Sequence, residues 1–271
     1  MNNYNNKRNK SFKPTSKSYK TENKPSFVKD KEPVKVSNEV MIWGKNSVMD
    51  ALQSNLNFSK LLVAEGNKNL ELPTPKSLNI QYLAKEELDK LSSNANHQGY
   101  ILIVKSVNYS DISFLVKRKP ELVLALDHIV DPQNLGAIIR TANAAGIKDI
   151  IIPKDNAADV NSVALKVASG GFVGMNFYKV SSLSATLSKL KNNSYWVYST
   201  TLSPDSVDYT KVSYATPTVI VMGNEGSGIS KSVVSVSDQL IHINQYGSVQ
   251  SLNVSVATGI VLFGVLNSKL K

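Results

Sequence analysis

Three stretches of this 271-residue chain carry side chains that could do chemistry together. The first, LDHIVDPQNLGAIIRTANAAGI at 126–147, holds Asn134 and Arg140. The chain has 31 basic residues, and only Arg8, Arg118 and Arg140 are arginine. Lysine serves wherever charge alone suffices, so an arginine inside a motif points to a need for planar, bidentate hydrogen bonding. Six helical residues at about 100° each leave Asn134 and Arg140 about 120° apart. They can border one site if a substrate lies across the helix's N-terminal half, with Gly136 allowing close backbone approach. The plainer reading is a capped helix with an exposed arginine.

The second stretch, VIVMGNEGSGIS at 219–230, runs an apolar strand into Gly223, Asn224, Glu225, Gly226 and Gly228. A strand feeding a glycine-rich loop can cradle a ligand at the C-terminal edge of a parallel sheet, or can simply be a tight turn. It is neither a P-loop nor the dinucleotide G-x-G-x-x-G. The third stretch, IHINQYGSVQSLNVSVATGI at 241–260, places Ser251 and Asn253 at the mouth of an apolar segment. Helix starts gather free N–H groups. Ser251 there is a ligand contact or an ordinary N-cap.

These residues need strands and helices to hold them. Leu122–Leu126 (LVLAL) reads as a strand buried on both faces. Asp131-Pro132 is a helix start, with Asp at N-cap and Pro at N1, and Gly146 is its stop. Strands follow at 149–152, 195–199, 218–222 and 241–243. Helices are expected over 163–168, 183–190 and from Ser251 to about Leu266. Strands spaced by helices predict an α/β fold with a mostly parallel sheet. Upstream, residues 39–108 read as a separate small α/β domain. Its helices are expected at 48–52 and 83–91, its strands at 60–64 and 100–104. Residues 109–120 read as a linker helix, and 121–271 as the larger domain. The final helix is apolar nearly all round, which means burial in a core or a subunit interface.

Composition narrows the function. There is no cysteine, which excludes disulfides, Cys-ligated metals and a thiol nucleophile. Three scattered histidines argue against a metal site. No apolar run is long enough to span a bilayer, and no secretory h-region is present, which predicts a cytoplasmic protein. The formal charge is +10. Residues 1–38 hold ten Lys+Arg against three Asp+Glu, so they carry most of it. This segment has no Leu or Ile and is expected to be a disordered basic tail, either phosphate-tracking or merely solvated.

The words DPQNLGAIIRTANAAG, VMGNEGSG and SLNVSVA, in this order, resemble the SpoU (TrmH) family of RNA ribose 2′-O-methyltransferases of the SPOUT superfamily. VALKVASGG at 163–171 extends the resemblance. WGKNSVMDAL at 43–52 and HQGY at 97–100 resemble the small substrate-binding domain of the 23S rRNA guanosine branch. The resemblance implies a SPOUT catalytic domain with a C-terminal trefoil knot, which general topology rules would argue against. It also implies a preceding domain like ribosomal protein L30e.

The implied cofactor is S-adenosylmethionine, held at Gly223, Asn224, Gly226, Ile243, Ser251 and Leu252. The implied catalytic set is Asn134, Arg140, Glu225, Ser251 and Asn253, in a homodimer acting on RNA without a metal. The family casts the arginine as base. A guanidinium resists deprotonation, so Arg140 as a phosphate grip that orients the hydroxyl is the competing role. Residues 241–247 depart from the family: His242 stands where proline is usual, and about two residues are added before Gly247. The alternatives are a tRNA guanosine 2′-O-methyltransferase and a non-catalytic RNA-binding or ribosome-assembly factor.

Overall fold

The structure, a computed structural model, describes residues 39–68, 74, 78–224, 226, 228–248 and 251–269. The basic tail and Glu225 lie outside the described residues. Residues 37–271 cluster as one compact unit.

Its first part is β1 (Val40–Trp43), α1 (Lys45–Leu52), β2 (Leu56–Ala64), β3 (Ile80–Leu83), α2 (Lys85–Leu91) and β4 (Tyr100–Val107). The strands form one sheet in the order β1-β4-β2-β3, parallel between β2 and β3 and antiparallel elsewhere. Strand periodicity decides which way each side chain points. In β4, Leu102 and Val104 face the main core, while Ile101 and Ile103 pack with Leu88 of α2 on the other side.

Helix α3 (Ile112–Arg118) follows, started by the Asp111 carboxylate accepting from Ser113 N–H at 2.8 Å. The larger part then runs β5 (Leu122–Asp127), α4 (Pro132–Ala144), β6 (Asp149–Pro153), α5 (Ser162–Ala168), β7 (Asn176–Val180), α6 (Leu183–Lys191) and β8 (Trp196–Thr200). It continues through β9 (Val207–Asp208), β10 (Thr218–Gly223), α7 (Lys231–Val234), β11 (Gln239–His242) and α8 (Val254–Lys269). The seven strands lie in the order β7-β6-β5-β10-β8-β11-β9, with every neighbouring pair parallel. This is the mixed α/β class expected, and its sheet is more uniformly parallel than "mostly" implies.

The apolar runs behave as strands covered on both faces. Leu124, Leu126, Ile220 and Met222 enter the core shared with α4, α5, α8 and the small sheet. Val123, Ala125, Val219 and Val221 enter the opposite core with α3, α6 and α7. Residues 109–120 are thus more than a tether. Leu115 is fully buried under the large sheet, and Tyr109 bridges to Phe177 of edge strand β7.

Several element ends differ from those expected: α1 starts at Lys45 rather than at 48 and β2 at Leu56 rather than at 60. Leu83 belongs to β3, because Leu83 pairs with Ala64, and α2 starts two residues later. The last helix starts at Val254, not Ser251, and Asn253 caps it by accepting from the Ser255 N–H at 2.9 Å. Serine and asparagine are nearly equal as caps, so composition could not choose between them. Among the described residues no helix is long and apolar enough to cross a membrane.

The basic end of α3 has a structural use. Arg118 donates to the Asp149 carboxylate at 2.7 Å, and Asp149 also accepts from Tyr178 Oη at 2.8 Å and Asn176 Nδ2 at 3.2 Å. Asp149 is 1% exposed. Burial, then this carboxylate, push the Tyr178 hydroxyl well above the ordinary tyrosine range. Arg118→Ala would leave a buried carboxylate without its cation. Breaking a fully buried pair costs about 3–5 kcal/mol; the half-exposed arginine and remaining hydrogen bonds reduce this to about 2. Differential scanning calorimetry should then show Tm lowered by about 4–8 °C; an unchanged Tm would mean the pair contributes nothing.

Candidate active site

The C-terminal edge of the large sheet is where the three chemical stretches meet. Strand β10 ends at Gly223, whose Cα is in register with Asp127 at the end of β5. The chain then turns back on itself. Asn224 N–H donates to Gly228 O at 3.0 Å, and Gly228 N–H donates to Asn224 O at 2.9 Å. A Cβ at Gly223 would sit 2.4 Å from Gly228 C and 2.7 Å from Ile229 N. Glycine is required there because the returning backbone occupies the space of any side chain. Gly228 has φ +67, again a glycine conformation. Asn224 Oδ1 accepts from Gly226 N–H at 2.8 Å, and its Nδ2 donates to His128 O at 2.8 Å, tying the loop to the end of β5.

Beside this loop lies a cavity of about 560 Å³. Gly223, Asn224, Gly226, Ile243, Ser251 and Leu252 all line it. So do Thr200 at the end of β8, Thr201 and Leu202 just after it, Met222, Gly228, His242 and Gln245, and Val254 and Ala257 of α8. Its size falls in the range of nucleoside-sized ligands. Apolar walls alternate with backbone groups and hydroxyls. In a chain so rich in lysine, this lining contains no lysine or arginine among the described residues. A cationic sulfonium would therefore meet no cation among the described residues, and the donor set suits an adenosine that is bound largely through main-chain groups.

The departing segment forms one wall. His242 pairs with Asp208 of β9; its Nδ1 lies 2.9 Å from Ser206 Oγ and its Nε2 3.1 Å from Asn244 Oδ1. Asn244 Nδ2 donates to Asp208 at 2.7 Å. The Thr210 backbone N–H, followed by the Thr210 hydroxyl, holds the Asp208 carboxyl below the usual range. Both ring nitrogens have partners, so His242 braces the wall.

The polar set is divided. Asn253 Nδ2 donates to Asn134 Oδ1 at 2.9 Å, joining residues 119 apart in sequence and coupling the α4 and α8 starts. Asp131 caps α4, accepting from Gln133 N–H at 3.0 Å and Asn134 N–H at 3.3 Å. Arg140 does not line the cavity. It is exposed on α4, about 9 Å along the axis from Asn134, without an ion pair among the described residues. Gly136 does allow close approach, but to α5: its Cβ would lie 2.4 Å from Ala164 O. A Cβ at Gly171 would lie 3.0 Å from Arg140 Cα, so the SGG turn backs the arginine.

Sequence reasoning missed one pair. Asp127, fully buried at the end of β5, approaches His128 Nδ1 at 2.6 Å through one carboxylate oxygen and accepts from Ser230 N–H at 2.6 Å through the other. A carboxylate closing an apolar strand was the available signal, since a buried acid requires partners.

Comparison with known proteins identifies the family of the chain. The sequence model of the SpoU rRNA Methylase family matches residues 121–263, and that for RNA 2′-O ribose methyltransferase substrate binding matches residues 41–110. The 23S rRNA (guanosine-2′-O-)-methyltransferase RlmB of Haemophilus influenzae is 39% identical over 71% of this chain and 80% of its own. A Staphylococcus saprophyticus protein named for the TrmH family of tRNA/rRNA methyltransferases is 32% identical over 85% of this chain and 96% of its own. The structure of an AdoMet-bound rRNA methyltransferase from Sinorhizobium meliloti superimposes with a TM-score of 0.68 at 26% identity, over 87% of this chain and 89% of that one. The chain belongs to the SpoU rRNA methylase family.

Proposed function

We propose that this protein transfers a methyl group from S-adenosylmethionine to the 2′-hydroxyl of a guanosine ribose in 23S rRNA. The observation that carries this is the convergence of Gly223, Asn224, Gly226, Gly228, Ile243, Ser251 and Leu252 on one cavity, with no lysine or arginine in its lining among the described residues, beside the Asn134–Asn253 pair. Gly223, Asn224, Gly226, Ile243, Ser251 and Leu252 would hold the cofactor, whose sulfonium supplies the methyl group. The cavity's backbone groups suit the adenosine, and Met222, Leu252 and Val254 suit its apolar parts.

A ribose hydroxyl is a poor nucleophile at neutral pH, so the protein must place it and remove its proton. The locked Asn134–Asn253 pair suits placement, with Ser251 and Glu225 assigned to the same task by the family motif. Arg140 would grip the target phosphate bidentately. We read residues 39–108 as the RNA-binding domain of L30e type, 109–120 as the connection and 121–271 as the transfer domain with its C-terminal trefoil knot.

The guanosine and 23S assignment rests on the Haemophilus relative's name; the staphylococcal name, which includes tRNA, keeps tRNA as the second reading. Mapping 2′-O-methylation in total RNA with and without the protein tests both. Loss of one 23S guanosine methyl is expected, and loss of a tRNA methyl instead would overturn the substrate.

We also propose a cytoplasmic homodimer. Helix α8 buries Val254, Val261, Leu262 and Val265 but leaves Val256 53% and Phe263 45% exposed. A second copy would cover this apolar face and bring another α4, with its Arg140, toward the site. Sedimentation velocity is expected to return a dimer; a monomer at micromolar concentration would remove this arrangement.

A further inference from the structure

We propose that the cleft between the small sheet and helices α4 and α5 holds an unpaired nucleotide of the RNA substrate, its base stacked on Trp43 and its phosphate on Lys166. The proposal rests on the methyltransferase reading above. It adds a second point of contact with the RNA, in a cleft separate from the cofactor cavity.

The cleft has a volume of about 700 Å³, enough for a nucleotide, and ligand sites favour junctions of this kind. One wall comes from the small sheet and its helix: Glu39 just before β1, Trp43 at the end of β1, and Asp50 of α1. The other carries Asn143 near the end of α4 and Lys166 of α5. Ile42 and Phe172 form its apolar floor and belong to one buried cluster. Ser54 Oγ accepts from Gly174 N–H at 3.0 Å, a further tie between the two walls.

The walls differ in chemistry. Trp43 is 42% exposed, and its ring has neither an aromatic nor a cationic partner among the described residues. An indole face left open at a polar cleft is a platform for an unstacked base. Asp50 and Lys166 make no ion pair among the described residues. On the Trp43 side, Glu39 and Asp50 would repel a phosphate. A carboxylate does accept from the N–H groups of a base edge. Lys166 on the opposite wall supplies the charge that a phosphate needs. The base therefore faces the small sheet, and the RNA backbone faces α5.

Position links the cleft to the reaction. Arg140 and Asn143 are three residues apart on α4, which puts their Cβ atoms about 5–6 Å apart. A Cβ at Gly171 would lie 3.0 Å from Arg140 Cα, and the preceding Gly170 lines the cleft. Arg140 thus stands at the rim. Whether it grips a phosphate or takes a proton, the RNA must reach it. A nucleotide adjoining that contact falls in the cleft, where residues 41–110, matched by the substrate-binding model, meet the same strand as α4.

The test is tryptophan fluorescence in the full chain carrying Trp196→Phe, which leaves Trp43 as the only tryptophan. The probe is hexa-adenylate RNA. Saturable quenching of Trp43 emission is expected. The Trp43→Phe chain, which reports Trp196 alone, should show none. Trp43→Ala is expected to raise KM for 23S rRNA by about 5- to 150-fold, the range for loss of one stacked base. Its kcat at saturating RNA and its calorimetric affinity for S-adenosylmethionine should not change. Trp43→Phe should recover most of the loss. Lys166→Ala should lower the slope of log Kd against log salt by about one. Absence of quenching, equal quenching of Trp196, or a KM within about twofold of wild type in folded Trp43→Ala would overturn the proposal. If that variant folds poorly, the quenching result decides, because it is read on a chain that keeps Trp43. Absence of transfer by the wild-type chain on any RNA would instead remove the reading on which the proposal rests.

Discussion

Gly223→Ala is expected to weaken S-adenosylmethionine binding by about 10- to 100-fold, measured by titration calorimetry. The added methyl would lie 2.4 Å from Gly228 C, 2.6 Å from Gly228 O and 2.7 Å from Ile229 N. These are backbone atoms, which cannot rotate away as a flexible side chain would. The 224–228 turn must open, losing its reciprocal hydrogen bonds and moving Asn224, Gly226 and Gly228 in the cavity lining. Overpacking of this kind costs about 1–3 kcal/mol, the energy equivalent of one to two orders of magnitude in affinity. The strained turn sits at the end of β10 rather than within it, so the variant should still fold. Gly66→Ala is the control, since a Cβ there meets nothing within 4 Å. Wild-type affinity in folded Gly223→Ala would show that the cavity beside this turn does not hold the cofactor.

Arg140→Ala and Arg140→Lys are both expected to lower kcat/KM for RNA by about 100-fold or more, the usual effect of removing a group that orients or stabilises the reacting centre. Arg140 is exposed and lies outside the cavity lining, so Tm and cofactor affinity should not move. This separates it from Gly223, whose substitution acts on cofactor binding. Lysine keeps the charge but loses the planar fork, so a defect in Arg140→Lys identifies geometry as the requirement. Near-normal turnover of Arg140→Lys would reduce Arg140 to a point charge and remove the bidentate phosphate grip.

Where local chemistry decides structure, the linear chain was informative. Asp131-Pro132 could only begin a helix well, because the carboxylate satisfies orphan N–H groups and proline lacks the one that would be wasted. LVLAL and TVIVM alternate between two cores, which a chain buried on one face could not do. The glycine loop was visible as a candidate cradle for the same reason: its residue types permit a backbone conformation that others do not. The short strands β7 and β9 were not legible. Asn176–Val180 mixes polar and apolar residues, and the two-residue β9 exists only through its pairing with β11.

The residues themselves thus determined which elements form and where several of them start, and they marked an asparagine, an arginine and a glycine loop as candidates for the chemistry. The tertiary structure decided which of these meet. Asn134 touches Asn253 across 119 positions, Arg140 stands apart from the cavity, and Gly136 serves helix packing. His242 became a braced wall, while His128 pairs through Nδ1 with the buried Asp127. Propensity and periodicity act over a few residues. Hydrogen-bond partners and solvent access are set by strand order and helix packing, which bring together positions that no local pattern relates.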